Sequence, residues 1–417
     1  MSTITGWESK KLTGLAEYIN GYAFKPNDWG KEGLPIIRIE QLKNPDARAD
    51  YFDGQLPPSR IIEDGDLIFS WSASLFLRIW RHGRAALNQH LFKVIEREGV
   101  DRAFLKAFIE FYLPALTAAS HGSTMQHITR KELERFGAPC PESKPEQTKI
   151  AEILSTVDRA IEQTEALIAK QQRIKTGLMQ DLLTLGIDEH GNLRSEQTHA
   201  FKDSPLGRIP AEWEVKPCVA LCRQIVVGIV IRPVQYYKPD GVPVLRSANV
   251  KEARIDSSNL VFMSERDNNT LSKSQLTAGD LVTVRTGYPG TTAVVPPEFD
   301  GSNCVDVVIS RPAPDKVRSE FLSIWINSDH GKRQVLEGQG GLAQQHFNVG
   351  EMKCLVVKVP SLLEQQRIED LLIRQRSINY EIIETLGKLM ALKTALMQDL
   401  LTGKRRVTPL LPAEAVQ

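Results

Sequence analysis

One segment of about 40 residues occurs twice in this chain, and the duplication limits the folds that the chain can adopt. Residues 175–184 read KTGLMQDLLT and residues 393–402 read KTALMQDLLT, 218 positions later. The match extends without a gap from 145–184 to 363–402. Self-similarity at a fixed spacing indicates a repeated structural unit. A chain of 417 residues with such a repeat is predicted to fold as two related halves rather than around one core.

Weaker matches precede each copy and keep the same order along the chain. GWESKKL at 6–12 resembles EWEVKPC at 212–218, and GYAFKP at 21–26 resembles GIVIRP at 228–233. Further pairs in the same order are GLPIIR with GVPVLR, DGDLIFS with AGDLVTV, FLKAFI with FLSIWI, and QHITRKEL with QHFNVGEM. Each half therefore consists of a variable region of about 140 residues followed by one copy of the segment.

Each copied segment has the apolar spacing of a long helix. Apolar residues recur every three or four positions, as in a coiled-coil seam, although Gln171, Gln375 and Asn379 interrupt the pattern. One interpretation is that each helix packs on its own domain; the other, favoured by equal lengths and matched seams, is that the two copies pair antiparallel. The seam residues that we single out are Leu154, Ile161, Ile168, Leu178, Leu182, Leu386, Leu396 and Leu400.

The variable regions are predicted to be rich in β-strands. Short β-branched or aromatic runs are bounded by Gly, Pro, Asp and Asn, as in GLPIIRIEQL, DGDLIFSWSA, QHLFKVI, GVPVLRSANV, GDLVTVRTG and VDVVISR. VDRAFLKAFIEFYL and VRSEFLSIWINSD have helical spacing instead. The predicted fold class is α/β (α+β), with two β-rich globular domains alternating with two long α-helices in a pseudo-twofold repeat. The predicted segments are domain 1–144, helix 145–184, linker 185–211, domain 212–362, helix 363–403 and tail 404–417.

Composition excludes several classes of protein. The 52 basic and 51 acidic residues leave a net charge of +1, which is not the strong basicity of a nonspecific nucleic-acid binder. The five cysteines form no CxxC pair, and we expect free thiols in the cytoplasm. No run of 18 apolar residues occurs, so no membrane association is expected. The sequence contains no P-loop, no GxSxG and no HExxH motif, and therefore offers no catalytic or metal-ligating residues.

Basic and amide residues in predicted loops and strand ends are the candidates for reading nucleic acid. Arg pairs with guanine and Asn or Gln with adenine through two parallel hydrogen bonds, and small residues allow close approach to phosphates. For any single arginine a solvated strand face is the alternative, and for the two Gln–His loops a helix cap and turn is the alternative. The candidates are Lys25, Arg38, Arg78, Arg81, Arg84, Ser123, Thr124, Gln126, His127, Arg232, Arg246, Arg285, Tyr288, Gln344, Gln345 and His346.

The whole arrangement resembles the specificity (S) subunit of type I restriction-modification systems. The resemblance is carried by GSTMQHI at 122–128, by the helix starts PEQTKIAEIL and LEQQRIEDLL, by the helix ends GLMQDLLTLGID and ALMQDLLTGKRRV, and by the linker FKDSPLGRIPAEWEV. It implies that the variable regions are target recognition domains for double-stranded DNA. It also implies that the paired helices dock two modification (M) subunits, to which two restriction (R) subunits are added.

The resemblance assigns the chemistry to the partners. The M subunits carry S-adenosylmethionine and methylate adenine, the R subunits use ATP and Mg, and the S chain binds no cofactor and is noncatalytic. Two recognition domains on a rigid spacer suit a split site, because B-DNA presents the same face about every 34–36 Å. The alternatives are an interaction scaffold unrelated to DNA, in which the duplicated helices recruit a dimeric partner, and an enzyme of unrecognised type.

Overall fold

The computed structural model describes residues 4–119, 127–337 and 346–412, and the chain divides into two units. The first unit consists of Met1–Ala166 with Ile383–Gln417, and the second is Leu167–Ile382. The two long helices are α5, Lys144–Thr184, and α11, Leu362–Leu400. Each copied segment therefore forms one long helix, and each helix contributes its N-terminal part to one unit and its C-terminal part to the other.

The globular part of the first unit contains two four-stranded sheets. In one sheet the strand order is β2-β9-β6-β7, and in the other it is β4-β3-β8-β5, with β3 and β8 parallel. The elements, in chain order, are β1 Trp7–Lys11, α1 Leu12–Leu15, β2 Ala16–Asn20, β3 Leu34–Ile37, α2 Ile39–Lys43, β4 Tyr51–Phe52, β5 Ile61–Ile62, β6 Leu67–Ser70, β7 Phe76–Ile79, β8 Ala85–Leu87, β9 Leu91–Glu96, α3 Arg102–Ala119, α4 Arg130–Arg135 and β10 Gly137–Pro141. All four residues of β6 are buried, because this strand lies inside its sheet and both its faces are covered.

The globular part of the second unit repeats this plan. Its sheets have the orders β14-β22-β19-β20 and β18-β15-β21, with β15 and β21 parallel. The elements are β11 Phe201–Lys202, β12 Ile209–Pro210, β13 Glu214–Pro217, α6 Cys218–Leu221, β14 Cys222–Val227, β15 Val242–Arg246, β16 Val250–Lys251, β17 Arg254–Ile255, β18 Val261–Met263, α7 Glu265–Thr270, β19 Leu281–Val284, β20 Thr292–Val294, β21 Asn303–Val305, β22 Val307–Pro312, α8 Ser319–Asn327, α9 Asp329–Glu337, α10 Val349–Cys354 and β23 Val356–Val359. The matching strand orders confirm the internal repeat and the α/β class that the sequence predicts.

Two of the predicted strands are shorter than their sequence runs. The run GLPIIRIEQL forms β3 and then turns into α2, because the Arg38 backbone N–H donates to Gln41 Oε1 at 3.1 Å. In the second unit the Arg246 N–H donates to Asn249 Oδ1 at the same distance, and β15 ends there. In both units a side-chain amide three residues downstream satisfies the free N–H and starts a helical turn.

The two long helices contact each other within each unit and run in opposite directions there. In the first unit Lys393 Nζ lies 2.6 Å from Asp158 Oδ1. In the second unit Gln375 Nε2 donates to Gln171 Oε1 at 2.7 Å. The two glutamines that interrupt the predicted apolar seams are thus hydrogen-bonded to each other. Among the described residues, no helix has the length and apolar character needed to cross a membrane.

The duplicated ends of the helices lie in the globular cores. Leu400 and Leu401 belong to the first unit's core, which also contains Trp7 and Ile150. Leu182 and Leu183 belong to the second unit's core. The LMQDLLT stretch occurs twice because each copy packs into the core of the other half's globular part. The first copy completes the core of the second unit, and the second copy completes the core of the first unit.

A buried glutamate at the start of each long helix holds the parts of its unit together. In the first unit Glu146 accepts from Arg406 Nε at 2.5 Å and from Trp7 Nε1 at 3.4 Å. In the second unit Glu364 accepts from Arg194 Nη2 at 3.2 Å and from Trp213 Nε1 at 3.1 Å. These two sets, Trp7–Glu146–Arg406 and Trp213–Glu364–Arg194, are called the anchors below. Charge-assisted bonds in a buried setting are strong only if both partners are present.

The glutamine that follows each anchor glutamate makes a second repeated connection. Gln147 Oε1 accepts from the Asp101 N–H at 2.8 Å, and its Nε2 donates to the Pro141 carbonyl. Gln365 Oε1 accepts from the Arg318 N–H at 2.9 Å, and its Nε2 donates to the Pro360 carbonyl. The Glu-Gln pair at each helix start therefore joins the helix to a core helix and to a strand end.

The linker between the halves contains ordered contacts as well as turns. Ile187 and Arg194 are buried, and the Ile187 N–H donates to Glu364 Oε1 at 2.9 Å. Short strands β11 and β12 pair within the linker. The polar sequence does not reveal this order, because the buried side chains of Ile187, Arg194 and Ile209 are far apart in the sequence and show no periodic spacing.

Replacing Glu364 with Gln should destabilise the second unit by about 3 kcal/mol, because Arg194 then stays buried without its countercharge. Glu212→Gln is the matched control, since Glu212 faces the same arginine at 3.4 Å with a side chain that is 75% exposed. Urea unfolding of both full-length variants measures the difference. Equal midpoints for the two variants would contradict the assigned role of Glu364.

Candidate nucleic-acid interface

Two loops that the sequence singles out separately meet in each unit. In the first unit the Ile128 N–H donates to the Trp71 carbonyl at 2.9 Å, and Ser72 pairs with His127. In the second unit the Phe347 N–H donates to the Arg285 carbonyl at 2.9 Å. There, Thr286 Oγ1 lies 3.0 Å from His346 Nδ1. We call these contacts the loop junctions.

The loop junction of the second unit holds an arginine in a fixed orientation. Arg285 Nη1 lies 2.7 Å from Asp306 Oδ1, and Arg285 Nε donates to the Phe347 carbonyl at 3.3 Å. Asp306 has a φ of 53° and its carbonyl accepts from Ser247 Oγ at 3.0 Å. Both side chains keep a solvent-facing part, since they are 19% and 43% exposed. Arg285 can therefore donate to a ligand through Nη2 without first changing its rotamer.

A highly exposed aromatic residue follows this arginine. Tyr288 is 84% exposed, in a turn where Gly287 and Gly290 have φ angles of 91° and 85°. Such angles favour glycine, and they let the turn present the ring to solvent. An exposed ring beside a fixed arginine suits stacking on a nucleobase.

A second exposed loop begins beside Asp306. Ile229 bridges to Val305, and its carbonyl accepts from the Asp306 N–H at 3.1 Å. Beyond it, Ile231 and Val234 are 75% and 71% exposed, and Arg232 between them has a φ of 47°. Apolar residues with an adjacent cation match the chemistry of side chains that enter a DNA groove.

The first unit presents different chemistry at the equivalent junction. The ring of Trp71 lies 5.9 Å from His90 and 6.0 Å from His127, centroid to centroid. Trp71 Nε1 and His127 Nδ1 have no hydrogen-bond partner among the described residues. The junction is thus aromatic and imidazole-rich, whereas that of the second unit is built on an arginine.

Other arginines that the sequence predicts to contact nucleic acid interact with residues of their own unit. Arg38 pairs with Asp50 at 2.8 Å and lies 5.2 Å from the centre of the Trp29 ring. Arg246 Nη2 donates to the Asn259 carbonyl at 2.5 Å, and its Nε has no partner among the described residues. Lys25 is exposed at the start of a short helical turn.

Arg78, Arg81 and Arg84 do not act as one group with Trp71. Arg78 and Arg81 line a separate cleft beside the long helices. Arg84 is 62% exposed and only 3.8 Å from Glu63, so it makes a weak surface pair. Five further candidates lie outside the described residues: Ser123, Thr124, Gln126, Gln344 and Gln345.

The singled-out seam residues divide into two groups. Leu154, Leu182 and Leu400 are buried in the cores of their own units, so they position the helices and present no surface. Ile161, Ile168, Leu178, Leu386 and Leu396 are partly buried. Exposed apolar side chains on the same helices are Leu167, Ile174, Leu362, Leu363, Leu371, Ile378, Tyr380, Ile383, Met390 and Leu392.

The structure adds no catalytic or metal-binding constellation in the part of the chain that it describes. No group of three or more His, Cys, Asp and Glu residues is placed to hold a metal ion there. All five cysteines are free. Burial raises the pKa of Cys140 and Cys222 to about 12, which keeps both thiols protonated at neutral pH.

The chain is similar in sequence to known proteins of one kind. A model described as the type I restriction modification DNA specificity domain matches residues 4–171. The chain is 23% identical over 419 residues to the EcoBI specificity subunit of a type I restriction enzyme from Escherichia coli, covering 97% of this chain and 87% of that protein. It is 25% identical over 429 residues to the MjaVIII specificity subunit from Methanocaldococcus jannaschii, covering 96% and 93%.

Solved structures agree at the level of the fold. The S subunit of a type I restriction-modification system from M. genitalium superposes with a TM-score of 0.59 at 14% identity, covering 96% of this chain and 98% of that one. A chain from a structure on complex assembly and conformational transition of the type I R-M system gives 0.59 at 18% identity, covering 97% and 100%. This chain is thus similar over nearly its whole length to specificity subunits of type I restriction enzymes, and it shares the fold of a solved type I S subunit.

Proposed function

We propose that this chain reads a split, asymmetric DNA sequence, with one set of bases assigned to each globular part. The supporting observation is the loop junction, which has the same backbone connection in both units but different side chains. Arg285, Thr286 and His346 form one junction, and Trp71 and His127 form the other. Equal frameworks with unequal side chains suit two readers of different base sequences.

Each junction has a distinct mode of recognition under this proposal. Arg285 is already bonded through Nη1 and Nε, so three N–H donors, one on Nη1 and two on Nη2, remain for a base edge or a phosphate. Tyr288, with its exposed ring, stacks on or between bases. In the first unit the half-buried rings of Trp71 and His127, 6.0 Å apart centroid to centroid, offer aromatic surface for contact with bases.

The long helices supply the protein-binding part of the function. Their exposed apolar residues, such as Ile174, Ile383 and Met390, offer surface that a partner protein can cover. We assign this surface to two modification subunits, through which two restriction subunits join. S-adenosylmethionine, ATP and Mg then belong to those partners, and the near-neutral charge of this chain is offset by their contacts with phosphate.

The function as a whole is tested by reconstitution. This chain with its modification subunit should methylate adenine at one gapped, asymmetric sequence, and neither protein alone should do so. Long-read detection of modified adenines in a host expressing both proteins gives the sequence. Identical methylation in cells that keep the modification subunit but lack this chain would refute the proposal. Failure of the assembled complex to bind any duplex at low salt would favour a scaffold unrelated to DNA.

Replacing Arg285 with Ala should weaken binding of the cognate duplex by about 1–3 kcal/mol and relax specificity at one half of the split site only. The other half of the split site is read by the first unit, so the base preference there should not change. Competition between duplexes substituted at each position measures both effects.

Arg266→Ala is the matched control for this measurement, because Arg266 is exposed on α7 and takes no part in the loop junction. Equal losses for the two variants would show that only overall charge matters. Uniform weakening over both halves, with no change in base preference, would assign Arg285 to a phosphate.

A further inference from the structure

The same place beside the long helices is filled in the second unit and open in the first. In the second unit it is occupied by the hairpin β16–β17. Glu252 at its tip lies 2.9 Å from Lys175 on α5 and 3.3 Å from Lys332 on α9. The next residue, Ala253, accepts through its carbonyl from Arg376 Nη1 on α11 at 3.2 Å. An acidic tip thus closes the gap between sheet and helices.

The sheet edge beneath this hairpin is shaped to receive it. The Ala253 N–H donates to the Thr292 carbonyl on β20 at 3.0 Å. The neighbouring strand residue, Ala293, is fully buried. A small apolar residue at this position lets the hairpin lie directly on the edge strand.

The equivalent place in the first unit is a cleft of about 550 Å³, which we call the side cleft. Its helix residues match those of the second unit, since Lys393 corresponds to Lys175 and Asp158 to Arg376, each 218 positions apart. Without a hairpin between them, Lys393 and Asp158 bond each other at 2.6 Å. Leu77, Leu154 and Met397 contribute to the apolar floor.

The edge strand of the first unit carries charge where the second has alanine. β6 pairs Ile68 with Arg78, and β19 pairs Val282 with Ala293, so Arg78 and Ala293 occupy matching positions. Arg78 and Arg81 are exposed in the side cleft, and neither has an ion-pair partner among the residues that the structure describes. The second unit thus has a closed internal contact where the first unit has two arginines that form no ion pair with any residue described by the structure.

From this asymmetry we propose that the side cleft receives an acidic loop of a modification subunit, seated as the Glu252 hairpin is seated in the second unit. This inference rests on the function proposed above. Carboxylates at Glu110, Asp158 and Glu162 also line the cleft. These carboxylates repel a continuous run of phosphates such as that of DNA. A protein loop avoids this repulsion, because it places only one or two acidic side chains against Arg78 and Arg81 and its uncharged backbone against the rest of the cleft. The two modification subunits are then held unequally, one with this extra contact and one without it.

The test is a titration of the full chain with purified modification subunit, followed by native mass spectrometry and sedimentation. The wild-type chain should bind two copies. R78E/R81E should bind one copy normally and the other at least tenfold more weakly. R78A/R81A should give a smaller loss of affinity for the same copy. This variant replaces R78E/R81E as the test if the charge reversal disturbs folding. The difference between variant and wild type should shrink as salt is raised, because exposed charges are screened.

The control is R48E/R135E, which reverses two exposed arginines of the same unit that do not line the side cleft. It should bind two copies as the wild type does. Full affinity for both copies in R78E/R81E overturns the proposal, and so does a loss of duplex binding by the isolated chain with no effect on the modification subunit. If the wild-type chain binds no modification subunit, the function proposed above fails instead.

Discussion

The pairing of a buried glutamate with an arginine from a distant part of the chain is the interaction on which the rest of the structure depends. Glu146 and Arg406 are separated by 260 positions and Glu364 and Arg194 by 170, yet each pair joins a helix start to the segment that follows the other helix. Because each glutamate is buried, its charge is tolerable only with the partner in place. The anchors therefore set which ends of the two helices meet in each unit.

Around the anchors, the repeat keeps the framework constant while the loops differ. The Glu-Gln helix starts, the Leu-Leu helix ends and the strand orders occur in both units. The loop junctions share one backbone hydrogen bond and a histidine, His127 or His346, and differ in that Trp71 stands where the other has Arg285. The side cleft and the Glu252 hairpin extend the same contrast to the face beside the helices. Constant residues thus support the fold, and the variable ones carry whatever distinguishes the two halves in binding.

Much of the fold could be predicted from sequence because its signals are periodic. The copied segment predicts two long helices, and the β-branched runs predict most of the central strands. The prediction was wrong for the second half of GLPIIRIEQL, where Gln41 caps a helical turn that a strand pattern does not reveal. Arg78 and Arg81 are close to Trp71 in sequence but line a cleft that does not include it, because side chains of a strand alternate between faces and the chain then leaves the sheet. Asp306, which orients Arg285, carried no motif at all.

The crossed helix ends also have a consequence for the order of events during synthesis. The core that contains Trp7 includes Leu400, Leu401 and Val407, so this core cannot be completed until residue 407 has been made. At about 5–20 residues per second the wait is on the order of 20–80 s. During that time the apolar surface around Trp7 lacks its last cover. The second core has a shorter delay, because its residues extend only from Leu182 to Leu372, within one continuous stretch, 167–382. The N-terminal region is therefore the one that spends longest exposed to chaperones and proteases in the growing chain.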